Sequence, residues 1–352
     1  MEESLMKLSK FEGQLPHDLV FKILERLSFK SMLKAKSVCK QWRDVVSDPS
    51  FIEAHLSKSY SLGRIRYIHG APMMKSVGLD DQETRYEHTI PTTEFSRYVE
   101  ILGSCNGLIL LGDGDRSYFL WNPSTRLLRS FTGRFLFRGE FRHFALGYDS
   151  TTRAYKVVRI VRVHSHKVYD RFKAPSYEKS VYDVTSAHVY SCKTNSWKKI
   201  EHFPYVIFED AQGVTMNGYP HWIVFWDHFV EYKDKVIVVI VYFDLVEEKF
   251  KELPKPSWLV ESSSYSFGSF EGKLCFIHYT TVRQREIREI WVMEKHGESW
   301  INVSSKINIK RVILRGWSSG HPYANYSREK PFIGAQYVES LVSPYAGNDM
   351  AG

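Results

Sequence analysis

The sequence predicts a small all-α helical bundle followed by a large all-β domain, the latter a β-propeller of about six divergent blades. Three observations predict it. Apolar residues between Leu15 and Leu56 recur at helical spacing. Beyond Ser57, short apolar runs alternate with turn-forming clusters. The strand-and-turn units then return at intervals of about 40 to 50 residues, the period of radially repeated sheets. Aromatic residues make up 15% of the chain, and rings suit a pleated, half-buried surface.

The helices come first. Leu19, Ile23 and Leu27 stand four apart, with Val20 and Leu24 widening the stripe, so a helix is expected from about Pro16 to Leu27. Pro16 suits a first helical turn, and Asp18 complements the positive end of the helix dipole. Ser31 can cap a second short helix carrying Met32, Leu33 and Ala35. A third is expected from near Val38, with Trp42, Val45 and Val46 as its apolar face, until Asp48-Pro49 interrupts it. A further helical turn covers Phe51 to Leu56.

The stretch from Leu15 to Leu56 resembles the F-box. The resemblance is carried by Leu15-Pro16 with Asp18-Leu19, by Ile23-Leu24 and Leu27, and by Lys30-Ser31 with Leu33. It continues through Val38-Cys39-Lys40, Trp42-Arg43 and Ser47-Asp48-Pro49-Phe51. It implies that Leu15, Pro16, Leu19, Ile23, Leu24, Leu33, Val38, Cys39 and Trp42 dock on a Skp-family adaptor or support the residues that do. A bundle of about 40 residues cannot hide every large side chain by itself, which is why some apolar surface is expected to meet a partner.

In the β region the recurrent unit is an apolar strand, a polar turn, and an aromatic opening the next strand. Tyr118 to Trp121 is followed by NPSTR, Leu146 to Tyr148 by DSTTR, and Val189-Tyr190 by SCKTNSW. Tyr242-Phe243 is followed by DLVEEKF, and Ile290 to Val292 by MEKHGESW. A second marker is a Gly-centred turn before an apolar strand, at Asn106-Gly107, Asn217-Gly218 and Glu271-Gly272. Gly218 and Gly272 are 54 positions apart, and Tyr190 and Phe243 are 53 apart. Stacking small sheets around an axis leaves only short strand edges exposed.

This region resembles the F-box-associated domain of a large plant family, with kelch-like repeats as a more distant relative. The matching residues are Gly103 to Leu108, Leu120 to Thr125, Phe144 to Asp149, Val189 to Trp197, Gly213 to Trp222 and Phe267 to Phe276. The Asn-Pro-Ser-Thr turn after Leu120-Trp121 is the most specific piece. The expected organisation is an N-terminal extension over 1–14, the F-box over 15–56, a connector with the first β elements over 57–101, the F-box-associated domain over 102–345, and a tail over 346–352.

Composition narrows the function further. The chain has 352 residues and a formal charge of +8, spread along the sequence and interleaved with acids rather than gathered in one block. An ordinary solvated surface is expected from that pattern, and nucleic acid is not an expected partner. The longest apolar run, Val236 to Phe243, is too short for the roughly 20 residues of a spanning helix, and residues 1–16 lack the pattern of a secretory signal. The expected location is cytoplasmic or nuclear, away from membranes, with Cys39, Cys105, Cys192 and Cys275 as buried free thiols.

Motifs for catalysis or cofactors do not assemble, so no enzyme activity, cofactor or metal is expected. Gly316 to Gly320 has the spacing of a nucleophile elbow, but His321 follows Ser318 almost at once with no acid between, and a glycine-rich loop is expected instead. His164 and His166 share one face of a strand without a third ligand near them. Gly112-Asp113-Gly114 fits a hairpin turn.

The two resemblances imply the substrate-recognition subunit of an SCF-type ubiquitin ligase. Such a subunit joins a cullin scaffold through the Skp adaptor and holds an unknown protein substrate on its β domain. The expected substrate loops are His69 to Thr89, His164 to Asp183, Trp226 to Lys235 and Thr281 to Glu289, with Tyr86, His164, Tyr169, Tyr177, Trp226, Tyr232 and Arg285 as contact candidates. The alternative is a basic β-domain binding protein, for nucleic acid or an acidic protein, whose F-box controls its own turnover.

Overall fold

The computed structural model describes residues 15–70, 73–78, 85–91, 99–113, 117–133, 140–163, 184–207, 211, 213–226, 237–260, 263–270, 272–282, 285–306, 318–320 and 334–345. Four helices come first: α1 (His17–Glu25), α2 (Phe29–Ala35), α3 (Lys40–Ser47) and α4 (Pro49–Ser61). Val20 and Leu24 of α1 meet Phe29, Met32 and Ala35 of α2, Val45 and Val46 of α3 and Phe51 of α4 in one buried cluster.

Two local details differ from the sequence expectation. The second helix begins a turn earlier, because the Ser28 hydroxyl rather than Ser31 caps it, accepting from the Ser31 amide at 3.3 Å. The last helix does not stop at Leu56. Asp48 caps it by accepting from the Ser50 and Phe51 amides at 2.8 and 3.3 Å, Pro49 occupies its first turn, and it runs on to Ser61. It extends because Leu56 and the partly buried Ile52 find a second apolar surface, in a cluster with Cys105, Leu108, Tyr155 and Val338 of the β domain. No helix among the described residues is long and apolar enough to cross a membrane.

The β domain is a propeller, and the described residues form five sheets against the roughly six blades the repeat period suggests. The first contains β1 (Ile65–His69), β2 (Met73–Gly78) and β3 (Arg85–Thr89). The second contains β4 (Glu100–Cys105), β5 (Leu108–Gly112), β6 (Ser117–Trp121) and β7 (Leu128–Thr132). The third contains β8 (Glu140–Asp149), β9 (Ala154–Val163), β10 (Val184–Ser191) and β11 (Ser196–Ile200).

The fourth sheet contains β12 (Tyr205–Val206), β13 (Val214–Met216), β14 (Tyr219–Trp226), β15 (Val238–Asp244) and β16 (Lys249–Leu253). The fifth contains β17 (Ser264–Phe270), β18 (Lys273–Val282), β19 (Arg285–Met293), β20 (Trp300–Asn302) and β21 (Ser318–Gly320). Finally β22 (Gly334–Val338) returns to β1, with Ile65 opposite Val338 and His69 opposite Gly334. Sequence-distant strands therefore complete one sheet and close the ring.

The repeated strand-turn-aromatic unit is the turn between the third and fourth strands of a blade. In three blades an Asn or Asp opens it and accepts from an amide two residues on: Asn122 from Ser124 at 2.8 Å, Asp149 from Thr151 at 2.9 Å, and Asp244 from Val246 at 3.0 Å. In the third blade that turn joins the first and second strands instead. Four residues after each of these openers the backbone takes positive φ, at Arg126, Arg153 and Glu248. Asn106-Gly107 and Asn217-Gly218 have positive φ at both residues, the requirement of a two-residue hairpin turn.

The middle strand β5 is apolar throughout, and all five of its residues are buried. Outer strands alternate, as in β3. The cores lie between blades: one cluster joins the first and second sheets, another the second and third, and two more fill the interfaces on either side of the fourth.

Candidate functional site

Helical geometry divides the apolar stripe of α1 into an inner and an outer half. Val20 and Leu24 are fully buried, whereas Leu19 and Ile23 are 48% and 43% exposed. Leu24, expected among the interface side chains, thus lies wholly in the core and can only support its outward neighbours. Leu15 and Pro16, just before α1, are exposed, as are Leu33 on α2 and Val38 and Cys39 ahead of α3. Trp42 is partly buried against the core. Gln41 donates from its side-chain amide to the Leu15 carbonyl at 2.8 Å, which holds the start of α1 beside the start of α3.

The bundle core is complete without these outer side chains. Helical spacing explains why they were legible as a group but not one by one: residues i and i+1 carry the same apolar signal, and only packing decides which turns in. Cys39, expected buried, is exposed, while Cys105, Cys192 and Cys275 are buried; all four are free thiols.

A second region of interest is a cavity of about 1000 Å³ where α4 meets the end of the propeller axis. Glu53, Tyr60 and Ser61 line it from the helical side, and Cys105, Tyr148, Gly218, Ser269 and Val338 from the propeller. Its hydroxyl and amide groups latch neighbouring blades together. Ser104 donates to the Gln336 carbonyl at 2.6 Å, Gln336 to the Ser269 carbonyl at 3.3 Å, and Thr215 to the Leu146 carbonyl at 2.6 Å. Tyr148 donates to Glu53 at 3.3 Å, and burial, then the Glu53 carboxylate, pushes its phenol up to about 12.

That cavity fixes which end of the propeller is which. The C-terminal ends of β4, β8, β13, β17 and β22 all reach it beside α4. Pairing is antiparallel throughout, so β5, β9, β14, β18 and β1 run away from the bundle and finish at the far end. The described strands that lead into the four expected substrate loops, β1 to His69, β9 to Val163, β14 to Trp226 and β18 to Val282, therefore end there.

The structure places the individual loop candidates unevenly. Residues 73–78 and 85–89, expected within a loop, are strands β2 and β3, because they add to the sheet that β1 and β22 share. Tyr86 is half-buried: the Lys30 ammonium and the Arg66 guanidinium each lie 4.2 Å from its ring centre. Trp226 is half-buried and packs on Tyr205 with ring centres 4.9 Å apart. Arg285 opens β19 opposite Val282, so the described residues of that expected loop, 281–282 and 285–289, lie in paired strands. His164, Tyr169, Tyr177 and Tyr232, like His166, lie outside the described residues.

Ser318, expected in a loop, lies in strand β21 opposite Phe267. Among the described residues no group of three or more His, Cys, Asp or Glu side chains is placed to hold a metal. Sequence reading also missed two polar clusters built around buried side chains, Lys156 and His221. Lys156 reaches the Leu245 carbonyl, Glu248 and Asp149 at 2.6, 3.0 and 3.1 Å, and His221 and His296 approach Nε2 to Nε2 at 2.9 Å. Both link neighbouring blades, a relation no local pattern announces.

Two family models match the chain. One, described as the F-box domain, matches residues 13–53. The other, described as the F-box associated beta propeller domain, matches residues 65–342. Three relatives come from Arabidopsis thaliana. F-box protein CPR1 is 28% identical, with the match covering 90% of this chain and 78% of the relative. F-box protein At4g22390 is 25% identical over 82% of this chain and 73% of its own length. F-box/kelch-repeat protein At3g17530 is 26% identical over 82% and 74% respectively.

Proposed function

The chain belongs to the F-box associated β-propeller family, and from that premise we propose that it is the substrate-recognition subunit of an SCF-type ubiquitin ligase. Its F-box binds a Skp-family adaptor and through it a cullin scaffold, while the propeller holds a target protein. The observation that supports this reading most directly is the row of large apolar side chains left outside a finished core: Leu15, Leu19, Ile23, Leu33 and Val38 are each 36% to 63% exposed. Exposed apolar surface of this kind marks an interaction site.

The chain works by proximity. A target held at the far end of the propeller is presented to a charged conjugating enzyme at high effective concentration, without an acid, base or nucleophile from this subunit. The separation of the two ends supports that division of labour. Variable connections at the far end can change the target without disturbing the latches that keep the ring closed. The protein acts in the cytoplasm or nucleus and needs no cofactor.

Co-purification with a Skp-family adaptor tests the reading. The intact chain should retain the adaptor, and a variant carrying Leu15→Ala, Pro16→Ala and Leu19→Ala should lose it while keeping its circular dichroism spectrum. Absence of adaptor binding by the intact, folded chain would overturn the proposal.

A further inference from the structure

Beyond β22 the chain does not leave the protein. Residues 339–345 run between the bundle and the propeller, and neighbouring side chains enter different cores. Leu341 is buried with Val20, Leu24 and Phe51 in the helical cluster, whereas Val342 is buried with Leu108, Leu120 and Tyr155 in the cluster between the second and third blades. The segment is thus shared by both domains.

Its backbone is held by the turn that the sequence marks most specifically. The Asn122 side-chain amide donates to the carbonyls of Ser340 at 2.9 Å and Val342 at 2.8 Å, and the same side chain uses its oxygen to cap the Ser124 and Thr125 amides. Asn122 is fully buried. The Ser340 hydroxyl donates to the Asn106 carbonyl at 3.0 Å, and the Tyr345 hydroxyl donates to the Leu128 carbonyl at 2.8 Å. Gly107 leaves room for the segment: a Cβ there would lie 2.1 Å from the Ser340 hydroxyl oxygen.

We infer that residues 339–345 are a strap that fixes the angle between the helical bundle and the propeller, with Asn122 as its positioning residue. None of these side chains belongs to the exposed apolar face, so the strap acts on where that face points and not on its ability to bind. A receptor that works by proximity depends on this angle, because reach to the target is set by geometry rather than by contacts. The competing account is that the other contacts between bundle and propeller set the angle: Ile52 and Leu56 of α4, the Tyr148 to Glu53 hydrogen bond, and Lys30 over the Tyr86 ring.

Spin-label distance measurement on the full chain decides between them. Cys39 is exposed and the other three cysteines are buried, so Cys39 and an introduced Lys249→Cys, at an exposed position of β16, take the two labels. Asn122→Asp keeps the oxygen that caps the turn but replaces the strap's two N–H donors with an acceptor facing two carbonyls. The expected result is loss of the single narrow distance peak in Asn122→Asp, with an unchanged β spectrum and unchanged adaptor affinity of the unlabelled protein. A peak as narrow as the parent's in folded Asn122→Asp overturns the inference and leaves the angle to the other contacts between bundle and propeller. Should Asn122→Asp not fold, Leu341→Ala is read in the same way, with the same two outcomes. Failure of the parent to bind the adaptor would refute the ligase reading while leaving the strap to stand or fall on the distances.

Discussion

Replacing Lys156 by Met should cost about 3 to 5 kcal/mol of stability, the range for removing one partner of a buried ion pair. The lysine side chain is 9% exposed and Asp149 1% exposed, so neither can fall back on water. Met matches the length of the lysine stem, so the loss is one of charge and hydrogen bonds rather than of packing. The bonds lost are those to Asp149 at 3.1 Å, to Glu248 at 3.0 Å and to the Leu245 carbonyl at 2.6 Å. Glu248 keeps Lys198 at 2.6 Å and is 21% exposed, so most of the cost falls on Asp149.

Urea unfolding of Lys156→Met, Asp149→Asn and the double variant is the assay. Asn at 149 still offers an oxygen to the Thr151 and Thr152 amides, so the double variant should recover about 2 kcal/mol relative to the sum of the single losses. Burial alone would raise the Asp149 carboxyl, but hydrogen bonds from Thr152 and then Lys156 hold it below its ordinary value. Burial likewise opposes Glu248, which bonds from Lys198 and Lys156 hold down. Their contribution is therefore full above about pH 5 and is lost as pH falls through the lowered values, so the gap between parent and Lys156→Met should narrow there. A cost under about 1 kcal/mol, or strict additivity in the double variant, would refute the reasoning.

Three further outcomes are expected. Leu24→Ala should cost about 2 to 5 kcal/mol of bundle stability in thermal melts, whereas Leu19→Ala should leave the melt within about 0.5 kcal/mol yet weaken adaptor binding in calorimetry; equal effects on both readouts would remove the distinction between core and face. Gly107→Ala should destabilise by more than Gly272→Ala in urea unfolding, since both have positive φ but only Gly107 is crowded, and Gly272 should cost only about 1 to 2 kcal/mol. Burial, then the His296 ring, pulls His221 down to about 3, so stability should fall as pH drops from about 6.5 toward 3. In His221→Gln the slope of stability between pH 6 and 4 should decrease by about 1.4 kcal/mol per unit, measured by urea unfolding, and an unchanged slope would show that another group carries it.

Local chemistry determined much of this protein by itself. Apolar spacing marked the helical segments, Asn and Asp marked the turns of the blades, and Asn-Gly pairs marked hairpins, because each is decided by backbone geometry within a few residues. The register of matched F-box positions likewise pointed, as a set, to the apolar residues of the proposed docking face. Tertiary structure alone decided which of them turn outward, since Leu19 and Val20 are equally apolar and differ only in what packs against the helix.

The same limit applies at longer range. That β22 closes on β1, that Lys156 bridges the third and fourth blades, and that Asn122 holds Ser340 and Val342 all join residues far apart in sequence. Asn122 could be recognised as special from its motif, but half of its work lies in a partner more than two hundred residues away, and no local periodicity specifies such a partner. The sequence determined the parts and their turns; packing between surfaces brought together by the closed ring decided how they face one another.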